Sequence, residues 1–386
     1  MEIFFKTFIY IFRFFIKPRE KYICYHSFPD LSDNSFSLFV YVANKYINYT
    51  NIWLVSELNT DFHKKKIANY TNSKHFKIVK KKSLLGIYFF CKSKYIFHTH
   101  GVFNEIPLQK EQINVNLWHG MPLKRIGYLD NNNRVPKSNY VISTSLLFQK
   151  IMSKAFDIVK SKVLNTGQPR NDFLFEDKFK LSDLVTGINI DDYSKTILWM
   201  PTYRKSIKGD IRVDSDLEKA SDFLSTAYLE ELNIFLKSAN FICFVKLHPM
   251  DFMSVDDFGN HTNIKFLDNT PFLEKGISLY SVMNRTDLLI TDFSSIYIDY
   301  LLLNKPILFL IPDFETYQNS RGFVFDNPKT YMPGEIITNK VNFIPYLEKI
   351  LINNEDNYFK EREYVRQVFH NTDQEFSKTV FNSVLK

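Results

Sequence analysis

Short apolar runs alternate with longer amphipathic stretches along this chain, and that rhythm restricts the fold more than any other feature. Lys21–Tyr25, Asn51–Val55, Tyr95–His98, Ile113–Trp118, Tyr140–Ser143 and Val163–Thr166 read as strands, with helices such as Ser35–Tyr46 and Ser145–Ala155 between them. A second series follows, with strands at Thr196–Met200, Phe241–Leu247, Asn263–Phe266, Leu288–Thr291 and Pro306–Ile311. Leu217–Ala239 and Ser295–Leu303 read as its helices. Strand–helix–strand alternation builds mostly parallel sheets covered by helices, so the fold class is α/β. At 386 residues the chain exceeds one ordinary core, and two domains are expected. The polar stretch Glu176–Ser194 separates the two series. The expected division is a helix in residues 1–20, a first α/β domain in 21–185, a second in 190–345, and helices in 346–386 that cross back toward the first.

Composition narrows the class. An apolar content of 45% with 24% charged residues fits a folded globular protein. The formal net charge of +7 suits an anionic partner such as a nucleotide, a phosphate polymer or a membrane surface. It is too mild to argue for nucleic acid, and no zinc spacing, helix-turn-helix signature or aromatic RNA-binding motif accompanies it. Cys24, Cys91 and Cys243 are few and scattered, which suggests a reducing compartment and no disulfide framework.

The first seventeen residues depart from a soluble pattern. Ile3, Phe4, Phe5, Phe8, Ile9, Ile11, Phe12, Phe14, Phe15 and Ile16 form a dense apolar run. On a helix, at about 100° per residue, Lys6, Arg13 and Lys17 share a narrow cationic edge. The segment is short for a bilayer span, which takes roughly 20 residues, and it lacks a small-residue cleavage site. The preferred reading is an amphipathic helix lying in the cytoplasmic leaflet. Burial against the protein's own surface is the alternative.

The chemistry-bearing residues gather at strand ends, where open α/β sheets bind ligands. Val115–Trp118 reads as a strand broken by Gly120 and Pro122, which leaves His119 at the corner beside Lys124 and Arg125. An imidazole there can exchange a proton near neutral pH, although a single histidine after a strand is more often structural. Lys246, Leu247 and His248 end a second strand. Pro201, Thr202 and Arg204 end a third, and Arg204 suits bidentate phosphate contact unless it is simply solvated. Gly167–Asp172 is a rigid turn that fixes Arg170. Ser294 and Ser295 open a helix after Leu288–Thr291, where free amides attract phosphate, although plain capping explains them equally well. Asp299, one turn on, is placed to accept bonds from hydroxyls. His98 and His100 alternate on one strand and so point the same way. With no Cys or carboxylate at ligand spacing, they read as structural or cleft-lining rather than metal-binding. No glycine-rich phosphate loop or Ser-His-Asp arrangement is visible.

Together these corners resemble the CDP-glycerol glycerophosphotransferase family of teichoic-acid and capsule biosynthesis. Trp118–Lys124 matches a Trp-His-Gly-Thr-Pro-Leu-Lys run, and Gly167–Asp172 a Gly-x-Pro-Arg-Asn-Asp turn. Pro201–Arg204, Lys246–Pro249 and Thr291–Ser295 with Asp299 follow in the family's order, and Arg321–Phe323 and the Asp33–Asn34 region match too. The resemblance implies a GT-B-type fold, with two Rossmann-like domains facing a central cleft and CDP-glycerol held mainly by the second. It implies a donor site lined by His119, Gly120, Met121, Pro122, Leu123, Lys124, Arg170, Pro201, Thr202, Arg204, Lys246, Leu247, His248, Ser294, Ser295 and Asp299. Met121 is a departure, because polymerases of the family commonly have Thr there. The chain's length is that of the compact, primase-like members.

The expected reaction moves glycerol phosphate from CDP-glycerol to an acceptor hydroxyl and releases CMP. His119 is the expected general base. His248, Ser294 and Ser295 are expected to bind the pyrophosphate, with Arg170, Thr202 and Lys246 assisting. No cofactor and no metal are expected. The partners are CDP-glycerol, a lipid-linked or polymer acceptor and the cytoplasmic face of the cell membrane, where the protein sits peripherally. The rival readings are a CDP-ribitol or other polyol-phosphate transferase, a sugar-transferring GT-B enzyme and a nucleotide-binding membrane scaffold.

Overall fold

A computed structural model describes residues 10–104, 106–130, 135–201, 222–247, 255–320 and 322–385. Two wholly parallel sheets organise them. The first holds β1 (Arg19–His26), β2 (Thr50–Val55), β3 (Phe76–Lys80), β4 (Ser93–His98), β5 (Ile113–Asn116), β6 (Tyr140–Ser143) and β7 (Val163–Asn165), in the order β3-β2-β1-β4-β5-β6-β7. The second holds β8 (Lys195–Trp199), β9 (Phe241–Lys246), β10 (Ile264–Leu267), β11 (Leu288–Thr291), β12 (Ile307–Leu310) and β13 (Glu335–Ile337), in the order β10-β9-β8-β11-β12-β13. Both orders run outward from the first strand and then reverse, which is the doubly wound pattern. Each sheet therefore has a crevice at its reversal, between β1 and β4 in one and between β8 and β11 in the other.

Burial explains which strands the sequence announces. All six residues of β9 are buried, as a central strand covered on both faces requires. β3 and β13, each at a sheet edge, escape the apolar-run reading. β3 interleaves lysines with apolar residues and β13 has only three residues, both common ways of blunting an open edge. The expected strand Ile113–Trp118 stops at Asn116, because Trp118 turns into the left-handed region at φ 48°.

One contiguous apolar core runs from Tyr25 and Phe97 in the first sheet, through Leu117, Met121 and Phe293 at the seam, to Leu198 and Phe244 in the second. The carboxy-terminal segment is not one helix. It breaks into Phe343–Leu347, Phe359–Phe369 and Phe376–Val384, among shorter turns. The last of these lies on helix Asp33–Lys45, where the Phe381 ring packs 4.8 Å from that of Tyr46. Asp172 accepts from the amides of Phe376 and Ser377, both at 2.9 Å, and so caps that helix from the first domain.

At the amino terminus, residues 10–15 are helical. Phe12 and Ile16 pack against the outer core of the first sheet. The Arg13 guanidinium donates to the Pro107 carbonyl at 2.7 Å and covers the Tyr10 ring at 4.4 Å. Tyr10, Ile11, Phe14 and Phe15 face outward, with Phe15 81% exposed. Among the described residues no helix is long and apolar enough to cross a membrane.

Candidate functional site

The carboxyl ends of the two sheets face one another across a cavity of about 520 Å³. His119, Gly120, Met121, Pro122, Leu123, Lys124, Arg170, Pro201, Lys246, Leu247, Ser294 and Ser295 all line it. Thus residues from both halves of the sequence share one space. Thr202, Arg204, His248 and Arg321 lie outside the described residues.

His119 is half-buried on the first-domain wall. Its Nδ1 faces the Thr99 carbonyl at 3.5 Å. Donation there leaves Nε2 as the acceptor nitrogen. The His100 ring stacks on it at 4.3 Å with the planes 8° apart. Burial, then the nearby His100 and Arg170, holds the His119 pKa down at about 3. The ring is therefore neutral at physiological pH.

The alternation drawn from sequence for His98 and His100 does not extend across the end of β4. The strand ends at His98, which is fully buried and accepts from the Gly101 amide at 2.9 Å. His100 lies beyond the strand and turns to His119 instead, so the two imidazoles serve different neighbours.

Gly120 lets the walls meet. It has φ 141°, and an added Cβ would lie 2.6 Å from Ser295 Oγ and 3.2 Å from Arg170 Nη2. Any side chain there would push the domains apart and strain the backbone. Leu123, Lys124 and Arg125 extend the seam. Val324 donates its amide to the Leu123 carbonyl at 2.9 Å, and Lys124 bridges Phe323 in antiparallel fashion. Met121 and Leu123 are buried core side chains at 0% and 1% exposure, so they supply apolar wall rather than hydrogen bonds.

Arg170 lines the cavity and is at the same time occupied by partners within the protein. Its Nη1 donates to Asp33 Oδ1 and to the His119 carbonyl, both at 2.9 Å, and its Nη2 donates to Asp299 Oδ2 at 2.6 Å. The Tyr280 ring lies 4.7 Å below the guanidinium. Asp299 is likewise occupied. It is fully buried, Gln168 Nε2 donates to its Oδ1 at 2.6 Å, and Tyr280 OH donates to its Oδ2 at 2.9 Å. Its oxygens are closed to a ligand's hydroxyls. Sequence spacing puts this carboxylate one turn after Ser295 but cannot show the partners that arrive from the other domain.

Asn34 locks the two first-domain corners together. Its Nδ2 donates to the carbonyls of Leu117 and Trp118, both at 3.0 Å, and its Oδ1 accepts from the Arg170 amide at 3.1 Å. This amide fixes the His119 corner against the Arg170 turn.

The second-domain wall offers donors. Ser294 and Ser295 are partly exposed to the cavity, ahead of helix Ile296–Tyr300. That helix has only five residues, so hydroxyls and amides matter there more than a helix dipole. Lys246 is 5% exposed, donates to the Leu247 carbonyl at 2.7 Å and sits 5.6 Å from the Phe272 ring. Burial lowers its pKa to about 8, against a raising effect of Asp268. Pro201 follows the end of β8, held where the Met200 amide donates to the Ile290 carbonyl at 2.7 Å.

Lys66 and Tyr280 also line the cavity. The sequence hides both. Lys66 closes a run of three lysines that reads as a solvated face, and Tyr280 is one of 22 tyrosines without a motif. Among the described residues no cluster of three or more His, Cys, Asp or Glu is placed to hold a metal.

Comparison with known proteins bears on this arrangement. Residues 9–386 match the sequence profile of the family described as CDP-Glycerol:Poly(glycerophosphate) glycerophosphotransferase. The teichoic acid poly(glycerol phosphate) polymerase of Bacillus spizizenii is 28% identical over 365 residues, covering 86% of this chain and 84% of that protein. The teichoic acid glycerol-phosphate primase of Bacillus subtilis is 31% identical over 235 residues, covering 57% of this chain and 55% of that protein. Among solved structures, the wall teichoic acid polymerase TagF superposes with a TM-score of 0.74 at 21% identity, over 95% of this chain and 89% of that one, and so shares the GT-B-type fold. With nearly its whole length matched, the chain belongs to the CDP-glycerol:poly(glycerophosphate) glycerophosphotransferase family.

Proposed function

We propose that this protein transfers glycerol phosphate from CDP-glycerol to a hydroxyl of a membrane-associated acceptor in teichoic-acid or capsule-type polymer synthesis, releasing CMP. The observation that supports this best is the division of labour across the cavity. A neutral imidazole whose Nε2 has no partner among the described residues lies on one wall, and an ammonium with two serine hydroxyls lies on the other.

In this reading the donor's pyrophosphate lies against Lys246, Ser294 and Ser295. The acceptor hydroxyl approaches from the first-domain wall and attacks the phosphorus that carries glycerol. As that O–P bond forms, His119 Nε2 takes the hydroxyl proton. The bond from phosphorus to the bridging oxygen breaks, and its electron pair leaves with CMP. Positioning and charge stabilisation supply most of the catalysis, as is usual for phosphoryl transfer. Arg170 positions rather than binds, since it ties the His119 carbonyl to Asp33 and Asp299. An imidazole held near pKa 3 is a weak base before the donor binds. An anionic donor beside it raises its basicity when the proton must move.

A thermal-shift panel separates donors. CDP-glycerol at saturating concentration should raise the melting temperature through mass action. A larger shift with a UDP-sugar or with CDP-ribitol would overturn the glycerol assignment.

The membrane-facing part of the reading rests on the outward side chains of the amino-terminal helix. Phe14 and Phe15 are 66% and 81% exposed, next to Arg13 and Lys17, which suits an interfacial helix on the cytoplasmic leaflet. Phe14→Ser with Phe15→Ser leaves the packed Phe12 and Ile16 in place. Sedimentation with anionic vesicles should fall by about tenfold or more, because each buried ring contributes on the order of 1.5–3 kcal/mol. Unchanged sedimentation would sink the membrane role.

A further inference from the structure

We infer that Trp118 and His100 clamp the His119 ring from its two faces, fixing its plane and, on the Trp118 side, stabilising the cation that forms when the ring takes a proton. Both are positioning residues, and the inference rests on the transfer reading above.

The geometry is a sandwich. The Trp118 ring lies 3.8 Å from that of His119, centroid to centroid, with the planes 33° apart, and the His100 ring lies 4.3 Å away and nearly parallel. Carbon atoms settle about 3.5–4.0 Å apart, so two rings this close cannot share one face of an imidazole. They hold it from opposite sides. Each clamp ring is fixed in turn. Phe156 meets the Trp118 indole edge-on at 4.8 Å, Asn116 Oδ1 accepts from the Trp118 amide at 2.9 Å, and Asn34 Nδ2 donates to its carbonyl at 3.0 Å. The Thr99 hydroxyl bonds His100 Nδ1 at 2.8 Å, and the Phe28 ring abuts that imidazole at 5.8 Å. The Trp118 backbone sits in the left-handed region at φ 48°, a costly conformation for a bulky residue. Such strain persists only where the surroundings enforce it. Here it accompanies an indole folded back over the ring of the next residue.

Proton transfer explains what the clamp supplies. When the acceptor hydroxyl loses its proton to His119 Nε2, the ring carries a positive charge until it returns that proton to water. Among the described residues no carboxylate bonds to His119, and its Nδ1 meets the Thr99 carbonyl at a long 3.5 Å. Burial, then His100 and Arg170, opposes the charge. An aromatic face is negative and attracts a cation, an indole most strongly. Trp118 therefore attracts the charged ring more than the neutral one, which is the condition for lowering a barrier. His100 is itself held below the ordinary imidazole range by burial, with Asp33 and Lys81 acting in opposite directions. It stacks as a neutral ring and fixes the plane without adding charge. With Nδ1 turned to Thr99, a fixed plane leaves Nε2 one direction in which to meet the hydroxyl.

The test reads single-turnover transfer from CDP-glycerol to a lipid-linked disaccharide extended by glycerol phosphate, with the full chain in excess over donor. Trp118→Leu should slow transfer about ten- to hundredfold, through loss of a desolvated cation–π contact and of ring alignment. Trp118→Phe should recover part of that loss, because its face is weaker, and His100→Phe should recover most of the loss in His100→Ala. The Kd for CDP-glycerol should stay within about twofold throughout, since contacts strengthened only in the transition state leave ground-state binding alone. The decisive variants also carry His119→Ala. A clamp that acts through His119 has nothing to act on there, so adding Trp118→Leu should slow His119→Ala no further. Equal slowing in both backgrounds would mean that Trp118 serves the substrate directly and would overturn the proposal, as would wild-type rates in Trp118→Leu and His100→Ala. Full turnover by His119→Ala would instead overturn the transfer reading on which the clamp rests. If Trp118→Leu does not fold, or wild type does not use this acceptor, NMR of histidine labelled at its ring nitrogens decides alone, with His119 assigned by its loss in His119→Ala. Wild type should show one His119 tautomer, protonated at Nδ1, and ring protons shifted upfield by the two flanking faces. Mixed tautomers or unshifted protons would refute the clamp.

Discussion

Replacing His119 with alanine should lower CMP release from CDP-glycerol in the presence of acceptor by about 10²–10⁴-fold, the usual range for loss of a general base. Donor affinity should change little, because Lys246, Ser294 and Ser295 stand on the opposite wall. The pH profile carries its own signature. His119 is held below the ordinary imidazole range, at about 3, so it keeps its lone pair well below pH 6.5. The free-enzyme profile, kcat/KM, should therefore show no acid limb from this group between pH 8 and 5. Lys246 is lowered to about 8 and loses its charge as pH rises through that value. An alkaline limb near pH 8 should follow, moved upward in kcat, where the bound anion favours the ammonium. Near-wild-type turnover by a folded His119→Ala protein would remove His119 from the chemistry.

The largest effect on stability should come from Arg170→Ala. Arg170 is 4% exposed, and its two terminal nitrogens join three groups, Asp33, the His119 carbonyl and Asp299. Asp299 is fully buried, so removal of the guanidinium leaves a carboxylate without its cation. Breaking a buried pair in this way costs about 3–5 kcal/mol. Desolvation opposes the guanidinium's charge, but Asp299 and then Asp33 more than offset it, and the Arg170 pKa stays above its ordinary value. Chemical denaturation should show the loss, accompanied by weakened contact between the domains. Asp299→Asn keeps the volume and should cost less. A stability change below about 1 kcal/mol in Arg170→Ala, the level of an ordinary exposed ion pair, would contradict the clamp.

The sequence carried the architecture because burial on both faces writes itself as continuous apolar runs. The central strands β1, β4, β8, β9 and β11 are legible for that reason. Edge strands β3 and β13 are not, since β3 interleaves lysines with its apolar residues and β13 has only three residues. The cavity walls were legible where glycine, proline and histidine break a strand abruptly, as at Trp118–Pro122. The roles of Arg170 and Asp299 were not. Each looks ligand-like on its own segment, and only the contact between domains shows that they satisfy one another. Lys66 was hidden for the opposite reason. A lysine run looks solvated until the fold turns one member inward against Phe36 and the seam.

Product identity tests the central claim most directly. The chain should be incubated with CDP-glycerol labelled in its glycerol and a lipid-linked acceptor, and the nucleotide product resolved. Attack at the phosphorus that bears glycerol predicts CMP, formed one-to-one with labelled glycerol phosphate on the acceptor. Release of CDP, with glycerol transferred without its phosphate, would mean attack at carbon and would contradict the account.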